Sequence, residues 1–531
     1  MAVVTGSAVP SPQTLGDVSR GHAAVRGGAV AFSFENREIS FAEFDAHANQ
    51  VANGLIAAGI GKGEHVAYLG KNSDSYFELF FGAAKMGAIT TPVNWRLAWT
   101  EMLYVLKDCE ARALFVGPEF VEIAAQLVEA LPALQLIVAM EDGQSGWSGY
   151  TAWRDAQPAE DPRIAISPDD VALQIYTSGT TGFPKGAMLS HRGLLDRVRH
   201  HSDHIPEWND WGPDDVSLIA MPVFHISGSC WTLNGFFFGA KCAIAREFNT
   251  DHILDFIQQQ RITKLFMVVA AMQIMARDPR ASETDFSCIK HMFYGASPIP
   301  LPVLRECMAV FGCGFVQLYG MTETSGMLAA LAPEDHDPNG APRMAAAGKV
   351  LPGVELMIVD ADGNPLAPYQ VGEIAARSAG NMVGYWNLPD ATAKAIDTEG
   401  WFRTGDLAYF DEDGYLYIQD RAKDMIISGG ENIYPTEVEK MLSGHPDLAE
   451  AAVIGVPDPK WGEVVKAIVV RKPGRTPTAD DIIAFARQNI AGYKAPKSVD
   501  FAESLPRTSS GKVLRRELRE PYWAQVGRRV N

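Results

Sequence analysis

Between Tyr176 and His191 the chain reads Tyr-Thr-Ser-Gly-Thr-Thr-Gly-Phe-Pro-Lys-Gly-Ala-Met-Leu-Ser-His. Thr177, Ser178, Thr180 and Thr181 supply hydroxyls, Gly179 and Gly182 allow backbone N–H groups to turn inward, and Lys185 adds an ammonium. Phosphate oxygens accept hydrogen bonds from all three kinds of donor. The segment is not the G-x-x-x-x-G-K-[ST] loop of common NTPases, because Gly179 and Gly182 stand too close together and Lys185 is followed by Gly186. Chemistry at a γ-phosphate, as in kinases and GTPases, is therefore disfavoured.

Glu323, within Thr322-Glu323-Thr324, brings a hard carboxylate. With the Thr177 hydroxyl it makes a ligand pair suited to a Mg2+ ion that keeps several waters and bridges phosphates. Asp406 follows Thr404-Gly405, and its acceptor-only carboxylate can take hydrogen bonds from a pair of hydroxyls. Six cysteines, Cys109, Cys230, Cys242, Cys288, Cys307 and Cys313, are scattered without a C-x-x-C pair, so reduced and mostly buried thiols are expected.

These residues need elements to position them. Val171 to Tyr176 reads as a strand feeding the Gly-rich loop. From about Val30 to Val470, apolar runs such as Val66–Leu69, Ala113–Val116 and Leu136–Ala139 alternate with helix-like segments, the pattern of an α/β fold with buried parallel strands. Phe41 to Ala58 is one such helix, with Phe41, Phe44, Ala48, Val51 and Leu55 on one face and Ser40 placed to cap it. His336 to Met344 reads as a surface loop. The texture changes at the charged run Asp420–Asp424, where a domain boundary is expected. Beyond it lie a helical run near Thr436–Leu442, strand-like Ala451–Val456 and Val464–Val470, and a helix Asp480–Asn489, enough for a small α+β domain.

A chain of 531 residues exceeds what one core holds, roughly 250–300 residues, so at least two domains are expected. The net charge of −18 argues against non-specific binding of nucleic acid or anionic membrane, which both need accumulated Lys and Arg. The first residues show neither a signal-peptide pattern nor an apolar stretch long enough to span a bilayer, so a cytoplasmic location is expected. A monomer or homodimer is the expected assembly.

Further segments follow the first in fixed order: Met221-Pro-Val-Phe-His-Ile-Ser-Gly228, Tyr294-Gly-Ala-Ser-Pro298, Gln317-Leu-Tyr-Gly-Met-Thr-Glu-Thr324, Trp401-Phe-Arg-Thr-Gly-Asp406, Asp420 to Ile433, and Pro506-Arg-Thr-Ser-Ser-Gly-Lys512. In these motifs, from about Val30 to Arg519, the chain resembles the adenylate-forming superfamily of acyl- and aryl-CoA synthetases, peptide-synthetase adenylation domains and beetle luciferases. The resemblance implies a large multi-subdomain N-terminal adenylation domain, residues 1–422, and a smaller α+β C-terminal domain, residues 423–531, that pivots on a hinge at Lys423. It implies an acid–thiol ligase whose substrates are a carboxylic acid, ATP and coenzyme A, working with Mg2+. The acid attacks the α-phosphorus of ATP, an encounter of two anions that needs cations and aligned donors.

Carried onto this chain, the resemblance gives Thr177, Ser178, Gly179, Thr180, Thr181, Gly182, Lys185, Gly295, Ala296, Ser297, Gln317, Tyr319, Gly320, Thr322, Asp406, Arg421 and Lys512 to the nucleotide. Within that set Asp406 takes the ribose hydroxyls, and Lys512 reaches the carboxylate and an α-phosphate oxygen during adenylation. Lys185, His225, Thr322, Glu323 and Lys512 are the implied catalytic residues, with Thr177 and Glu323 the metal ligands. Gly429, Gly430, Glu431 and Asn432 would pass the pantetheine arm of CoA, the glycines permitting close approach. His225, Trp231, Gly320, Met321 and Met327 are the implied acyl pocket.

Two positions depart from the pattern: Ile427 stands where several relatives carry lysine, and Phe266–Ala271 lacks a proline that many have before a pocket residue. His225 stands where amino-acid-activating domains place an aspartate, which disfavours an amino acid substrate. No cationic residue stands out as an anchor for a second carboxylate, so a medium- or long-chain fatty acid, a phenylpropenoic acid or a steroid side-chain acid is expected. The alternative is acyl transfer to a carrier protein, or luciferase-like oxidation. The chain carries no appended carrier module, which favours the CoA ligase.

Overall fold

Ser40 starts the helix Phe41–Ala57 by a reciprocal cap: its hydroxyl accepts from Glu43 N at 3.3 Å while the Glu43 carboxylate accepts from Ser40 N at 2.9 Å. The buried face carries Phe41, Phe44, Ala48, Val51 and Leu55, as the spacing predicts. It packs against the helix Asp74–Met86, which is almost wholly buried and supplies Phe77 and Phe81. Rings from three elements meet there, with Phe32 stacked on Phe77 at 5.3 Å and Phe236 against Phe81 at 4.9 Å. Such pairs add to area burial.

These features belong to a computed structural model that describes residues 12–141, 146–177, 184–199, 206–296, 299, 301–337, 339–421, 424–428, 431–458, 460–508 and 511–523; of Arg421 it describes the backbone alone. The described residues form four sheets. One has nine strands with a parallel centre built from Val216–Ile219, Lys241–Ile244, Lys264–Val268, His291–Gly295 and Gly314–Tyr319. A second has eight strands, in which parallel His65–Leu69, Ile89–Pro92, Ala113–Val116 and Leu136–Ala139 are joined by the antiparallel pair Val171–Thr177 and Lys185–Ser190. A third is a four-stranded antiparallel sheet that includes Phe402–Phe410 and Leu416–Arg421. Of the strands read as apolar runs, Val66–Leu69 and Ala113–Val116 are buried on both faces, whereas Leu136–Ala139 is buried only at Val138 and Ala139.

The last sheet belongs to the smaller C-terminal domain, where Leu448–Asp458 pairs antiparallel with Gly462–Arg471. Both strands run longer than the apolar runs within them, because their polar ends still pair in the ladder. The helices Pro435–Leu442 and Ala479–Asn489 cover this sheet, and Val438, Leu442, Val453, Val469, Ile482 and Ala486 form a core of their own. The chain is thus an α/β protein with a large N-terminal domain and a smaller C-terminal one. Asp420 ties the two, accepting from Thr436 N at 2.8 Å and from Thr436 Oγ1 at 2.9 Å, with Arg515 3.7 Å away. Among the described residues no helix is long and apolar enough to cross a membrane.

Candidate functional site

The Gly-rich segment links two antiparallel strands, Val171–Thr177 and Lys185–Ser190. Thr177 and Lys185 are cross-strand neighbours at its mouth, and the Tyr176 hydroxyl donates to Asp108 Oδ2 at 2.6 Å, fixing the stem. Ser178, Gly179, Thr180, Thr181 and Gly182 lie outside the described residues, as do Ser297, Lys423, Gly429 and Gly430.

At these strand ends three segments converge. The Thr177 hydroxyl donates to Glu323 Oε1 at 3.1 Å, and the Tyr385 hydroxyl donates to the same oxygen at 3.2 Å. Lys185 Nζ lies 4.9 Å from the centre of the Tyr385 ring. Glu323 sits in the short 3-10 turn Thr322–Thr324, and its carbonyl accepts from Met382 N at 2.8 Å, so chain far downstream braces the turn. Thr177 Oγ1 and Glu323 Oε1 stand close to the spacing of two neighbouring oxygens around Mg2+, about 2.9 Å for bonds of about 2.05 Å in an octahedron. The donor chemistry and spacing fit that ion. Burial and the Glu323 charge push the Tyr385 phenol well above its ordinary range, so it remains a donor. Tyr385 had no signal of its own in the sequence, being an aromatic residue in a strand 62 residues from Glu323.

Asp406 is 6 % exposed; its carboxylate accepts from the Tyr319 hydroxyl at 2.8 Å, and its backbone N–H donates to Thr404 Oγ1 at 3.1 Å. Its backbone lies opposite Arg421 in the Phe402–Phe410 and Leu416–Arg421 ladder. Gln317 and Tyr319 share the strand Gly314–Tyr319, and Gln317 Nε2 donates to Ala346 O at 3.3 Å.

The neighbouring turns are packed to backbone contact. A Cβ on Gly320 would stand 1.5 Å from Gly326 O, and one on Gly295 2.4 Å from Leu318 O. Ala296 holds a left-handed φ of 68°, a conformation uncommon for a residue with a side chain and one that concentrates at functional sites. Tyr294, just before this turn, is fixed by His336. The imidazole donates from Nδ1 to Ala332 O at 2.8 Å, so its Nε2, 3.0 Å from the Tyr294 hydroxyl, is an acceptor.

His225 is the N-cap residue of the helix Ile226–Phe237. Burial, then the charges of Arg96 and Lys512, lower its pKa to about 4, so the ring is neutral at physiological pH. The field of Lys512 at this ring brings the C-terminal domain to the site of the N-terminal one. Gly511 approaches Ala270 on the helix Val269–Arg277, and the Lys512 turn is pinned by Lys512 N donating to Thr508 Oγ1 at 3.1 Å. Arg96, whose guanidinium lies over Trp95 at 4.4 Å and near the Phe224 ring at 5.7 Å, is a cation of this site that the sequence did not single out.

Met321 and Met327 are partly buried against the main core. Trp231 is 4 % exposed, its N–H donating to Leu218 O at 3.1 Å and its ring packed on Trp211 and Phe293. Glu431 and Asn432 are exposed on a short hairpin with Ile426–Ser428, where Ile427 is 38 % exposed.

The chain matches two family models: AMP-binding enzyme over residues 20–386 and AMP-binding enzyme C-terminal domain over residues 437–512. It is 40% identical over 522 residues to a fatty acid–[acyl-carrier-protein] ligase, ScoC, of Streptomyces coeruleorubidus, covering 98% of this chain and 99% of that protein. It is 39% identical to an indoleacetate–CoA ligase of Aromatoleum aromaticum, covering 94% of this chain and 96% of that one. Among solved structures, ATP-bound MatB from Rhodopseudomonas palustris superimposes with a TM-score of 0.86 at 30% identity, over 97% of this chain and 100% of that one. With both family models matched in order and relatives aligned over nearly their whole length, this chain belongs to the family of AMP-binding enzymes.

Proposed function

We propose that this protein is an AMP-forming acid–thiol ligase that joins a carboxylic acid to coenzyme A. The carboxylate oxygen attacks the α-phosphorus of ATP, pyrophosphate leaves, and an acyl-adenylate forms. The CoA thiol, giving up its proton, then attacks the acyl carbon, and AMP leaves as the thioester forms.

The observation that carries this reading is the convergence of Thr177, Lys185, Glu323 and Tyr385 at the strand ends flanking the Gly-rich segment, with Asp406 bonded to Tyr319 and the charge of Lys512, from the second domain, felt at His225. Mg2+ held by Thr177 and Glu323 would neutralise phosphate charge. Lys185 and Lys512 supply further positive charge where the two anions meet, and Lys185 is steadied by the Tyr385 ring. Asp406, oriented by Tyr319, brings its carboxylate to the ribose hydroxyls. Neutral His225 caps the helix Ile226–Phe237 in the field of Lys512 without adding charge of its own. We place the domain boundary at residues 422 and 423, with Lys423 as the hinge on which the C-terminal domain turns between the two half-reactions, bringing residues 429–432 to the thiol. The acyl pocket, with Met321 and Met327 among its walls, takes the body of the acid.

A second reading is supported by the relative ScoC, whose thiol is that of an acyl-carrier protein. The two thiols share a pantetheine arm. An acid panel with ATP, Mg2+ and either CoA or a carrier protein, scoring AMP and thioester separately, decides: AMP with CoA thioester is expected, AMP with only carrier thioester moves the assignment to the second reading, and ADP overturns both.

A further inference from the structure

The strand Phe402–Phe410, which carries Asp406, does not run evenly beside its neighbour Gly372–Ser378. Arg403 pairs with Ala375 and Leu407 with Glu373, so Thr404, Gly405 and Asp406 together face Ile374 alone. A bulge of this kind breaks the ladder locally and re-aims the side chains within it. Three residues opposite one cannot all find ladder partners, and their N–H groups have to be met in another way. Gly405, the middle residue, holds a left-handed φ of 74°, a conformation that favours a residue without Cβ.

Two side chains take up what the ladder gives away. Glu373 Oε1 accepts from Gly405 N at 3.0 Å, in the middle of the bulge, while Glu373 Oε2 accepts from Arg403 Nη1 at 3.2 Å, at its start. One carboxylate thus clamps the bulge at two places. Thr404 Oγ1 donates to Ile374 O at 3.0 Å and takes the Asp406 N–H at 3.1 Å. The Arg403 and Glu373 side chains are 26 % and 29 % exposed, so water competes for their ion pair and the pair by itself contributes little to stability. The bond from Glu373 to Gly405 N has a different consequence. It fixes the backbone one residue before Asp406, whose carboxylate is then met by the Tyr319 hydroxyl from the nine-stranded sheet.

We infer that Glu373 is a positioning residue for the nucleotide: by holding the bulge at Gly405 it sets where the Asp406 carboxylate stands, and so how firmly the ribose hydroxyls are gripped. Glu373 acts through Gly405 and Asp406 from the adjacent strand. The inference deepens the ligase reading above and rests on it, since Asp406 is there the partner of the ribose.

The test is direct binding of ATP, 2′-deoxy-ATP and 3′-deoxy-ATP, each with Mg2+, to the full chain, followed by calorimetry without acid or CoA so that no turnover intervenes. Wild type is expected to bind ATP about tenfold or more tightly than at least one deoxy analogue, the scale of one hydrogen bond to a charged group, and Asp406→Ala to lose that preference. Glu373→Met, similar in length but without an acceptor, should shrink the preference by about threefold or more, with the loss falling on ATP rather than on the analogue. Glu373→Gln, which restores an acceptor for Gly405 N, should recover most of it. A general loosening of the fold weakens all three nucleotides alike and leaves their ratio unchanged, so the ratio separates positioning from stability. Should Glu373→Met fail to fold, Glu373→Thr, which suits a strand and is too short to reach Gly405, carries the decision. A wild type without preference, a preference that survives Asp406→Ala, or an unchanged ratio in the folded Glu373 variants overturns the role of Glu373 and leaves the ligase intact. No ATP binding by wild type, together with no AMP from any acid of the panel, overturns the ligase reading, and this one with it.

Discussion

Glu323 accepts two hydrogen bonds on one oxygen, from Thr177 and from Tyr385, and so is held by groups from two other strands. Glu323→Gln keeps the shape but removes the charge, and AMP formation is expected to fall by about a hundredfold or more, the scale of losing one charged group aimed at the reacting phosphates. The Mg2+ concentration for half-maximal rate should rise as well; a fall in rate with no change in Mg2+ dependence would remove Glu323 from the metal. Thr177 and Glu323 were legible because hard oxygens near a Gly-rich loop suggest a phosphate-bound cation. Tyr385 was not: a tyrosine in a strand reads as packing. Only folding shows that this tyrosine donates to Glu323.

At the scale of elements, the buried parallel strands were readable because burial on both faces makes them continuous apolar runs, as in Val66–Leu69 and Ala113–Val116. The helix Phe41–Ala57 was readable from its cap and its face. Strand ends were not, since Leu448–Asp458 is held at its polar ends by pairing rather than by apolar content. Turn contacts were equally hidden. At Gly320 the near contact is Gly326 O, a backbone atom that cannot swing away, so Gly320→Ala must displace the turn carrying Glu323 and Gly326. We expect a loss of about 1–3 kcal/mol of stability from overpacking, together with loss of AMP formation, measured by denaturant unfolding and by AMP release on the same sample. A fully active and equally stable alanine variant would show that the turn is not rigid.

For the whole molecule, two cores and a tie at Asp420 are consistent with one domain moving against the other. The motif order made both domains legible, whereas their mutual placement was not, because contacts such as Gly511 with Ala270 join residues far apart in sequence. Lys512→Ala should cripple AMP formation from acid and ATP, by about a hundredfold, while thioester formation from supplied acyl-adenylate stays within a few-fold of wild type. Equal losses in both half-reactions would refute a lysine that serves only the first.

The charge of Lys512 at His225 also makes the imidazole a gauge of domain position. With the lysine alongside, the ring titrates at about 4. When the lysine withdraws, the smallest of the three causes holding protons off the ring disappears, so its midpoint rises, while burial and Arg96 keep it below the ordinary imidazole value of about 6.5. An NMR titration of this single side chain in a labelled sample, before and after adenylate formation, would report the fraction of molecules in each arrangement without any added probe.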